Sequence, residues 1–306
     1  MQANLIECFD LQAIGHNTAD YWHLVAECIK LAKADIYQYV ADEAFVDIPT
    51  EAMLSKEYAA VRRELIDMDK AMVYPEPGIP EELKAVAQGL VPTYSSALID
   101  DHKLISIRED IEATTNFDVV DSFGNAVSAT VTHGDIYGTK VVIGNTGLLL
   151  NNGTRTGSVA PYPDNVNAIE GGKISLLGNG PTVVMKDGKL FMLYGTAGGE
   201  TIGQIQFQVL LNVIDFGMGM QEVIDAVRCE LTAKPNFYTP GANITLNLES
   251  RVPEDVIKEL EAKGHNISMK PEFGGGNMTQ GILVHLEYKT WEAGADPRGG
   301  GYAVGW

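Results

Sequence analysis

Two neighbouring threonines, Thr114 and Thr115, open a β-prone run that turns back on itself through Asp121-Ser122-Phe123-Gly124-Asn125. Inside a chain, a threonine hydroxyl is a poor nucleophile because nothing removes its proton. At a chain terminus its character changes, since an α-amine with a pKa near ~8 can act as base for the hydroxyl of the same residue. A cut between Ala113 and Thr114 would create nucleophile and base together. The same residues also fit a plainer reading, in which Thr-Thr simply begins a strand. A second stretch, Gly195-Thr196-Ala197-Gly198-Gly199-Glu200-Thr201, joins a strand-like run to a helix-like one. Glycines there let backbone N–H groups turn toward a ligand, and the helix start favours negative charge, so the loop suits an oxyanion hole. It equally suits a tight strand-to-helix turn, and it matches neither the P-loop nor the dinucleotide fingerprint. The triplets Gly274-Gly275-Gly276 and Gly299-Gly300-Gly301 read as flexible turns. The six histidines are dispersed, with no pair at metal-ligand spacing from a carboxylate, so no catalytic metal is expected. His133, close to the first hairpin, reads as a surface or strand-end histidine.

These residues need elements to hold them. Tyr21, Leu24, Val25, Cys28, Ile29, Leu31 and Ala32 recur at helical steps, predicting a helix over 17–40 capped by Asn17 or Thr18. A second helix is predicted over 55–68, opened by Ser55, and Pro75 to Pro80 stops helical structure. A short helix over 81–87 and a surface linker over 90–112 follow. Beyond Thr114 the texture turns to strands: the first hairpin, then 140–143 and 147–152. A second hairpin joins 182–185 to 190–194 through Lys186-Asp187-Gly188-Lys189. Its apolar runs suit strands buried on both faces. Helices are predicted over 201–216, 221–227 and 253–263, and strands over 242–248, 266–269 and 282–288, before a glycine-rich tail. The order, mostly helix and then strands with helices over them, is α+β, and two stacked sheets between helices would satisfy it.

The totals bound the function. With 41 acidic against 22 basic residues, the net charge of -19 argues against nucleic acid and anionic membrane as partners. Cys8, Cys28 and Cys229 are odd in number and scattered, which argues against a disulfide framework or a zinc ribbon. No apolar run approaches the ~18 residues of a spanning helix, and the chain reads as cytoplasmic, unless an export signal lies upstream of Met1.

Together the motifs resemble the γ-glutamyltranspeptidase family of N-terminal-nucleophile hydrolases. Phe9-Asp10-Leu11, Gly15-His16-Asn17, Lys33-Ala34-Asp35 and Phe45-Val46-Asp47-Ile48-Pro49 look like the end of that family's large subunit. Thr114-Thr115-Asn116-Phe117 with Val119-Val120-Asp121 and Gly124-Asn125-Ala126-Val127 resembles the start of its small subunit. Gly147-Leu148-Leu149-Leu150-Asn151-Asn152, Pro181-Thr182, Gly198-Gly199 and Asp296-Pro297-Arg298 follow in register. The resemblance implies self-cleavage before Thr114. That would leave 1–113 as the end of the large subunit and 114–306 as the small catalytic subunit of an αβ heterodimer or larger assembly. It implies an αββα sandwich of two antiparallel sheets between helices. Thr114 would attack an amide carbonyl of a small-molecule substrate, Gly198 and Gly199 would hold the oxyanion, and Thr132 would bond the nucleophile's hydroxyl. The acyl-enzyme would pass to water or an amine without a cofactor.

The departures from the pattern are specific. Where the family's aspartate holds a γ-glutamyl α-amine, this chain has Thr156 beside Arg155, and the serine pair for the α-carboxylate is replaced by Leu177-Gly178. Asn116 stands for a histidine and Gly134 for an asparagine. A neutral hydroxyl no longer favours an ammonium group, so catalysis with weakened or changed γ-glutamyl specificity is expected. A true γ-glutamyltransferase or glutathione hydrolase, and an inactive subunit serving as a structural partner, are the alternatives. The long N-terminal portion that precedes Phe9 in the family is absent from this sequence, so a separate chain or a longer precursor is expected to supply it.

Overall fold

The computed structural model describes residues 1–78, 112–154, 159–176, 178–239, 241–275 and 277–306. Short helices Gln2–Ile6 (α1) and Leu11–Ile14 (α2) lead into the long helix Ala19–Tyr39 (α3). Thr18 is its cap, accepting from the Tyr21 N–H, while Asn17 takes φ 62° and accepts the Trp22 indole N–H instead. Helix α3 is buried nearly all round, which forces the polar residues along it to find partners inside the protein. Thr50–Leu54 (α4) and Lys56–Arg63 (α5) follow, with Ser55 capping α5 as expected. This helix stops well short of Met68: the Asp67 carboxylate accepts the Asp69 N–H, and Asp67 pairs with Lys70 in a bridge that competes with further helix. The helix expected over 81–87 and nearly all of the 90–112 linker lie outside the described residues.

Glu112–Val120 (β1) and Ala126–Asp135 (β2) form the first hairpin, so the strand begins two residues before Thr114. Thr182–Lys186 (β3) and Lys189–Thr196 (β4) form the second, around Asp187 and Gly188, both at positive φ. Ile202–Ile214 (α6) and Met220–Asp225 (α7) come next, then Cys229–Lys234 (β5), Asn243–Glu249 (β6), Glu254–Ala262 (α8), Ile267–Lys270 (β7), Thr279–His285 (β8) and Thr290–Ala295 (β9). Strands β3-β4-β8-β9 make an antiparallel sheet and β5-β6-β7 a second one, whose β6 and β7 are parallel because α8 crosses between them.

The first hairpin lies across β4 and β8, and α6 and α7 cover the other face of that sheet. Helices, sheet and hairpin are three of the four layers of the expected αββα sandwich. The outer face of the hairpin stays open, with Phe117, Val119, Val127 and Val131 each 48% to 54% exposed. A larger core joins α3 to β5, β6, α6 and α8, so residues from both sides of position 113 share one interior.

Several expectations need correction. The runs 140–143 and 147–152 are not strands: they meet only at the bridge between Val142 and Leu149, and their apolar side chains are largely exposed. Strand β3 is a sheet edge with Val183 and Met185 exposed, rather than buried on both faces. Strands β5 and β9 were not anticipated, and the strand expected over 282–288 is shifted to Thr279–His285. Among the described residues, no helix is long and apolar enough to cross a membrane.

Candidate active site

The geometry around Thr114 begins at the hairpin turn. The Asp121 carboxylate accepts the Asn125 side-chain amide and the N–H groups of Phe123 and Asn125, and these bonds, that of the Asn125 side chain foremost, hold its pKa below the usual carboxylate range. That turn fixes the register, setting Thr114 opposite Thr132 and Asn116 opposite Thr130. Alternation along the strand then sends Thr114 and Asn116 inward, at 6% and 5% exposure, and Phe117 and Val119 outward. The Thr114 and Thr132 hydroxyl oxygens are 2.8 Å apart, and the Thr132 oxygen accepts the Gly134 N–H at 2.8 Å. Thr132 Oγ1 also lies 3.2 Å from the carbonyl oxygen of Ala113. One arrangement satisfies all three contacts: Thr114 donates to Thr132, and Thr132 donates to the carbonyl of Ala113.

Asn151 and Asn152 hold this corner. Asn151 Nδ2 donates to the Thr132 carbonyl at 2.6 Å, and Asn152 bonds the backbone of His133 and Asp135. His133 is exposed, with its carbonyl used in this bracing.

Contacts with β4 set where Thr114 faces. The Ser128 hydroxyl, on the residue paired with Asp118, donates to the Tyr194 carbonyl at 3.4 Å. Asn116 sits so closely on Gly195 that a Cβ there would lie 2.1 Å from Asn116 Oδ1. Moving from Asp118 to Asn116 thus steps from Tyr194 to Gly195 along β4, the strand whose end leads into Gly198-Gly199. Gly198 has φ 130° and no room for a side chain, a Cβ there meeting Asn277 Oδ1 at 1.9 Å. From it a 3₁₀ turn, Gly199–Thr201, leads into α6. Gly178 borders the same loop, since a Cβ on it would lie 3.1 Å from the Gly199 carbonyl oxygen. Arg155, Thr156 and Leu177 lie outside the described residues.

Other groups were not visible from motifs. Asn116 Nδ2 donates to Asp118 Oδ2 at 2.7 Å, and the Thr130 hydroxyl donates to Asn116 Oδ1 at 2.7 Å. Burial pushes the Asp118 carboxyl up to about 6, against the pull of its hydrogen bonds. Lys33 reaches from α3 to the carbonyl of Glu200 at 2.9 Å. Its sequence signals were the Lys33-Ala34-Asp35 motif and its place on a largely apolar helical run that also carries Glu27 and Lys30. The structure also gathers His23, Glu27 and His265 so that ligating atoms lie within 4.8 Å of one another, a grouping the spacing argument missed. These donors are committed to the protein. His23 Nε2 meets the Asp67 carbonyl, His23 Nδ1 shares a proton with His265 Nε2 at 2.8 Å, and Glu27 binds the Lys30 ammonium and the Met72 N–H. The trio is a clamp between α3 and the segment after α8.

A sequence profile of the family described as gamma-glutamyltranspeptidase matches residues 1–306. The chain belongs to the gamma-glutamyltranspeptidase family. It is 32% identical over 303 residues to the glutathione hydrolase proenzyme of Escherichia coli (strain K12), covering 96% of this chain and 46% of that protein. It is 31% identical over 273 residues to the acylase ACY 1 proenzyme of Pseudomonas sp. (strain SE83), covering 89% and 42%. The crystal structure of a cephalosporin acylase from Bacillus halodurans superposes with a TM-score of 0.79 at 26% identity, over 100% of this chain and 48% of that one. A gamma-glutamyltranspeptidase from Pseudomonas nitroreducens complexed with L-DON gives a TM-score of 0.53 at 31% identity, over 63% of this chain and 99% of that one. The chain spans about half the length of the curated relatives it matches.

Proposed function

We propose that this gamma-glutamyltranspeptidase-family chain cleaves itself before Thr114 and then hydrolyses or transfers the acyl group of a small amide other than a γ-glutamyl one. The observation that carries the reading is the Thr132 hydroxyl, shared between the Thr114 hydroxyl and the carbonyl of the bond to be cut. Thr114 Oγ1 attacks the Ala113 carbonyl carbon while Thr132 donates to the developing oxyanion. Collapse breaks the Ala113–Thr114 C–N bond, the nitrogen takes a proton, and an ester to Thr114 Oγ1 remains. Water cleaves that ester, leaving the Ala113 carboxylate and a free Thr114 amine. The amine then serves as base when the same hydroxyl attacks the substrate carbonyl, with Gly198 and Gly199 N–H groups taking the oxyanion charge. Collapse breaks the substrate C–N bond, its amine leaves with the proton the Thr114 amine took up, and the acyl group stays as an ester on Thr114 Oγ1. The acyl group leaves to water or to an acceptor amine, with no cofactor in either half.

Supporting the position of the cut, residues 114–306 make up 63% of the chain, the share matched to nearly the whole of the Pseudomonas nitroreducens chain. Thr156 and Leu177-Gly178 in place of the γ-glutamyl-reading residues favour a different acyl group, in keeping with acylases among the relatives. Arg155 beside Thr156 points toward an anionic or uncharged acyl part. The open apolar face of the first hairpin is where further polypeptide, from a longer precursor or a separate chain, would pack.

Intact-mass measurement tests the reading. The wild-type chain should split between Ala113 and Thr114 and Thr114→Ala should not. The processed protein should release amine from a panel of acyl amides faster than glutamate from glutathione. A wild-type chain that stays whole refutes the cleavage. Glutathione as the best substrate refutes the specificity. Clean cleavage without turnover of any amide would favour the reading as a structural subunit.

A further inference from the structure

Lys33 is buried, 6% exposed, with its ammonium 4.1 Å from the centre of the Phe237 ring and 5.2 Å from that of Tyr37. A lysine is costly in such a place, and its ammonium donates to a backbone carbonyl that a neutral donor could have served. That carbonyl belongs to Glu200, in the turn that follows Gly198-Gly199. The two peptide groups beyond it are linked in series. The Glu200–Thr201 peptide accepts from Lys33 through its oxygen at 2.9 Å, and through the Thr201 N–H it donates to the Gly198 oxygen at 3.0 Å. The Gly198–Gly199 peptide therefore accepts at its oxygen and presents the Gly199 N–H at its far end. Hydrogen bonds in such a chain polarise one another, and the low dielectric of a buried site strengthens the effect.

We propose that Lys33 is a positioning residue for the oxyanion loop, its ammonium polarising the Gly199 N–H through the Glu200–Thr201 and Gly198–Gly199 peptide groups. The proposal rests on the reading of Gly198-Gly199 as oxyanion donors, and it adds a residue from the segment before Thr114 to the machinery after it. The surroundings fit a charge that is kept and held. The Thr201 hydroxyl lies 2.7 Å from the same Gly198 oxygen and 2.7 Å from Asn277 Oδ1, and Asn277 is itself tied to Glu230, so the Gly198 carbonyl is held from the Thr201 side chain as well as from its N–H. Gln204 Nε2 reaches the Glu200 carbonyl from α6 only at 3.5 Å, leaving Lys33 as the stronger donor. The titratable groups facing Lys33 are the Glu200 carboxylate on the turn and Tyr37 on α3, with Tyr74 and Tyr238 behind Tyr37. Burial pulls the ammonium down, against the opposing pull of Glu200, to about 8, whereas Tyr37 is held neutral well above its ordinary range. Lys33 thus carries its charge below pH 8 and loses it above, while the hydrogen bond to Glu200 can persist as a neutral one.

The test separates this idea from the activity itself. In Thr114→Ala protein labelled with [1-¹³C]glycine, the Gly198 carbonyl signal is followed by NMR from pH 6.5 to 9.5. A shift with a midpoint near pH 8 is expected, absent in Lys33→Met and held at its low-pH position in Lys33→Arg. A Gly198 signal that does not titrate, or that titrates alike in Lys33→Met, overturns the proposal whether or not the enzyme turns over. In the processed wild-type enzyme, Lys33→Met should lower kcat about three- to ten-fold at pH 7 with KM little changed, a fraction of what a whole oxyanion donor contributes. Lys33→Arg should restore most of kcat and move its alkaline limb upward, which a merely structural lysine would not do. Unchanged kcat in Lys33→Met also overturns it. Absence of any Thr114-dependent turnover refutes the proposed function instead, and the carbonyl titration still decides the polarisation.

Discussion

Replacing Asp118 with asparagine should make the folded protein more stable at neutral pH. Asp118 faces inward from β1, with Asn116 donating to one carboxylate oxygen at 2.7 Å and the other oxygen buried without a hydrogen bond. Burial raises its carboxyl from the ordinary 3.8 to about 6. Each tenfold change in acidity is worth about 1.4 kcal/mol, so holding the charge inside costs at most about 3 kcal/mol, and about 1–2 kcal/mol once partial solvent screening is allowed for. The sign follows from proton binding. Between pH 3.8 and 6 the folded chain holds more protons than the unfolded one, so stability falls as pH rises through that window and stays lowered above it. Asparagine keeps an acceptor for Asn116 Nδ2 and carries no charge. Urea unfolding of wild type and Asp118→Asn at pH 4 and pH 8 would show the variant ahead by about 1–2 kcal/mol at pH 8, with the gap narrowing at pH 4. A gap of the same size at both pH values, or none at pH 8, refutes the argument that the buried charge is the cause.

Gly198→Ala should disturb the oxyanion loop, because its Cβ would meet Asn277 Oδ1 at 1.9 Å at a φ of 130°. A fall of about 10² in turnover of the processed enzyme is expected by kinetic assay. The His23–His265 clamp should fail in acid. Burial lowers both histidines below 6.5, His265 to about 3, so the stability present above pH 6.5 is lost as pH falls from there toward 3. Lys30 and Lys263 push the same way on both, while Glu27 opposes them at His23. In His265→Gln, which can still donate to His23, the drop in denaturation midpoint between pH 7.5 and 4.5 should be smaller than in wild type.

The first hairpin was legible because its signals are local. Asp121, Gly124 and Asn125 sit within a few residues of one another and fix the register that pairs Thr114 with Thr132. The turn at Asp187-Gly188 was legible for the same reason. Runs such as Lys140 to Ile143 have strand-like composition, but a strand needs a neighbour along its edge, and only Val142 and Leu149 pair. Cys229–Lys234 went unseen because its alternation spans only Cys229, Leu231 and Ala233, too short to stand out before β6 completes it. Lys33 and Glu200 are 167 positions apart, and His23 and His265 are 242 apart. No spacing rule reaches across such distances, because only the packed helix α3 brings these groups together.

Helix α3 belongs to the segment before Thr114, yet its Tyr21, Leu24 and Ile29 lie in the same interior as Leu231, Leu246 and Leu260 from the segment after it. A chain cut at that point would leave two pieces dividing this larger core between them, the later piece keeping only the smaller core around Met192, Ile205 and Leu283 as wholly its own. Before the cut, the unfolding midpoint is independent of how much protein is present. Afterwards folding becomes an association of two molecules, and the midpoint rises with protein concentration although no contact has changed. Severing one peptide bond would turn a property of the molecule into a property of the solution, so that dilution alone could take apart what the intact chain holds together.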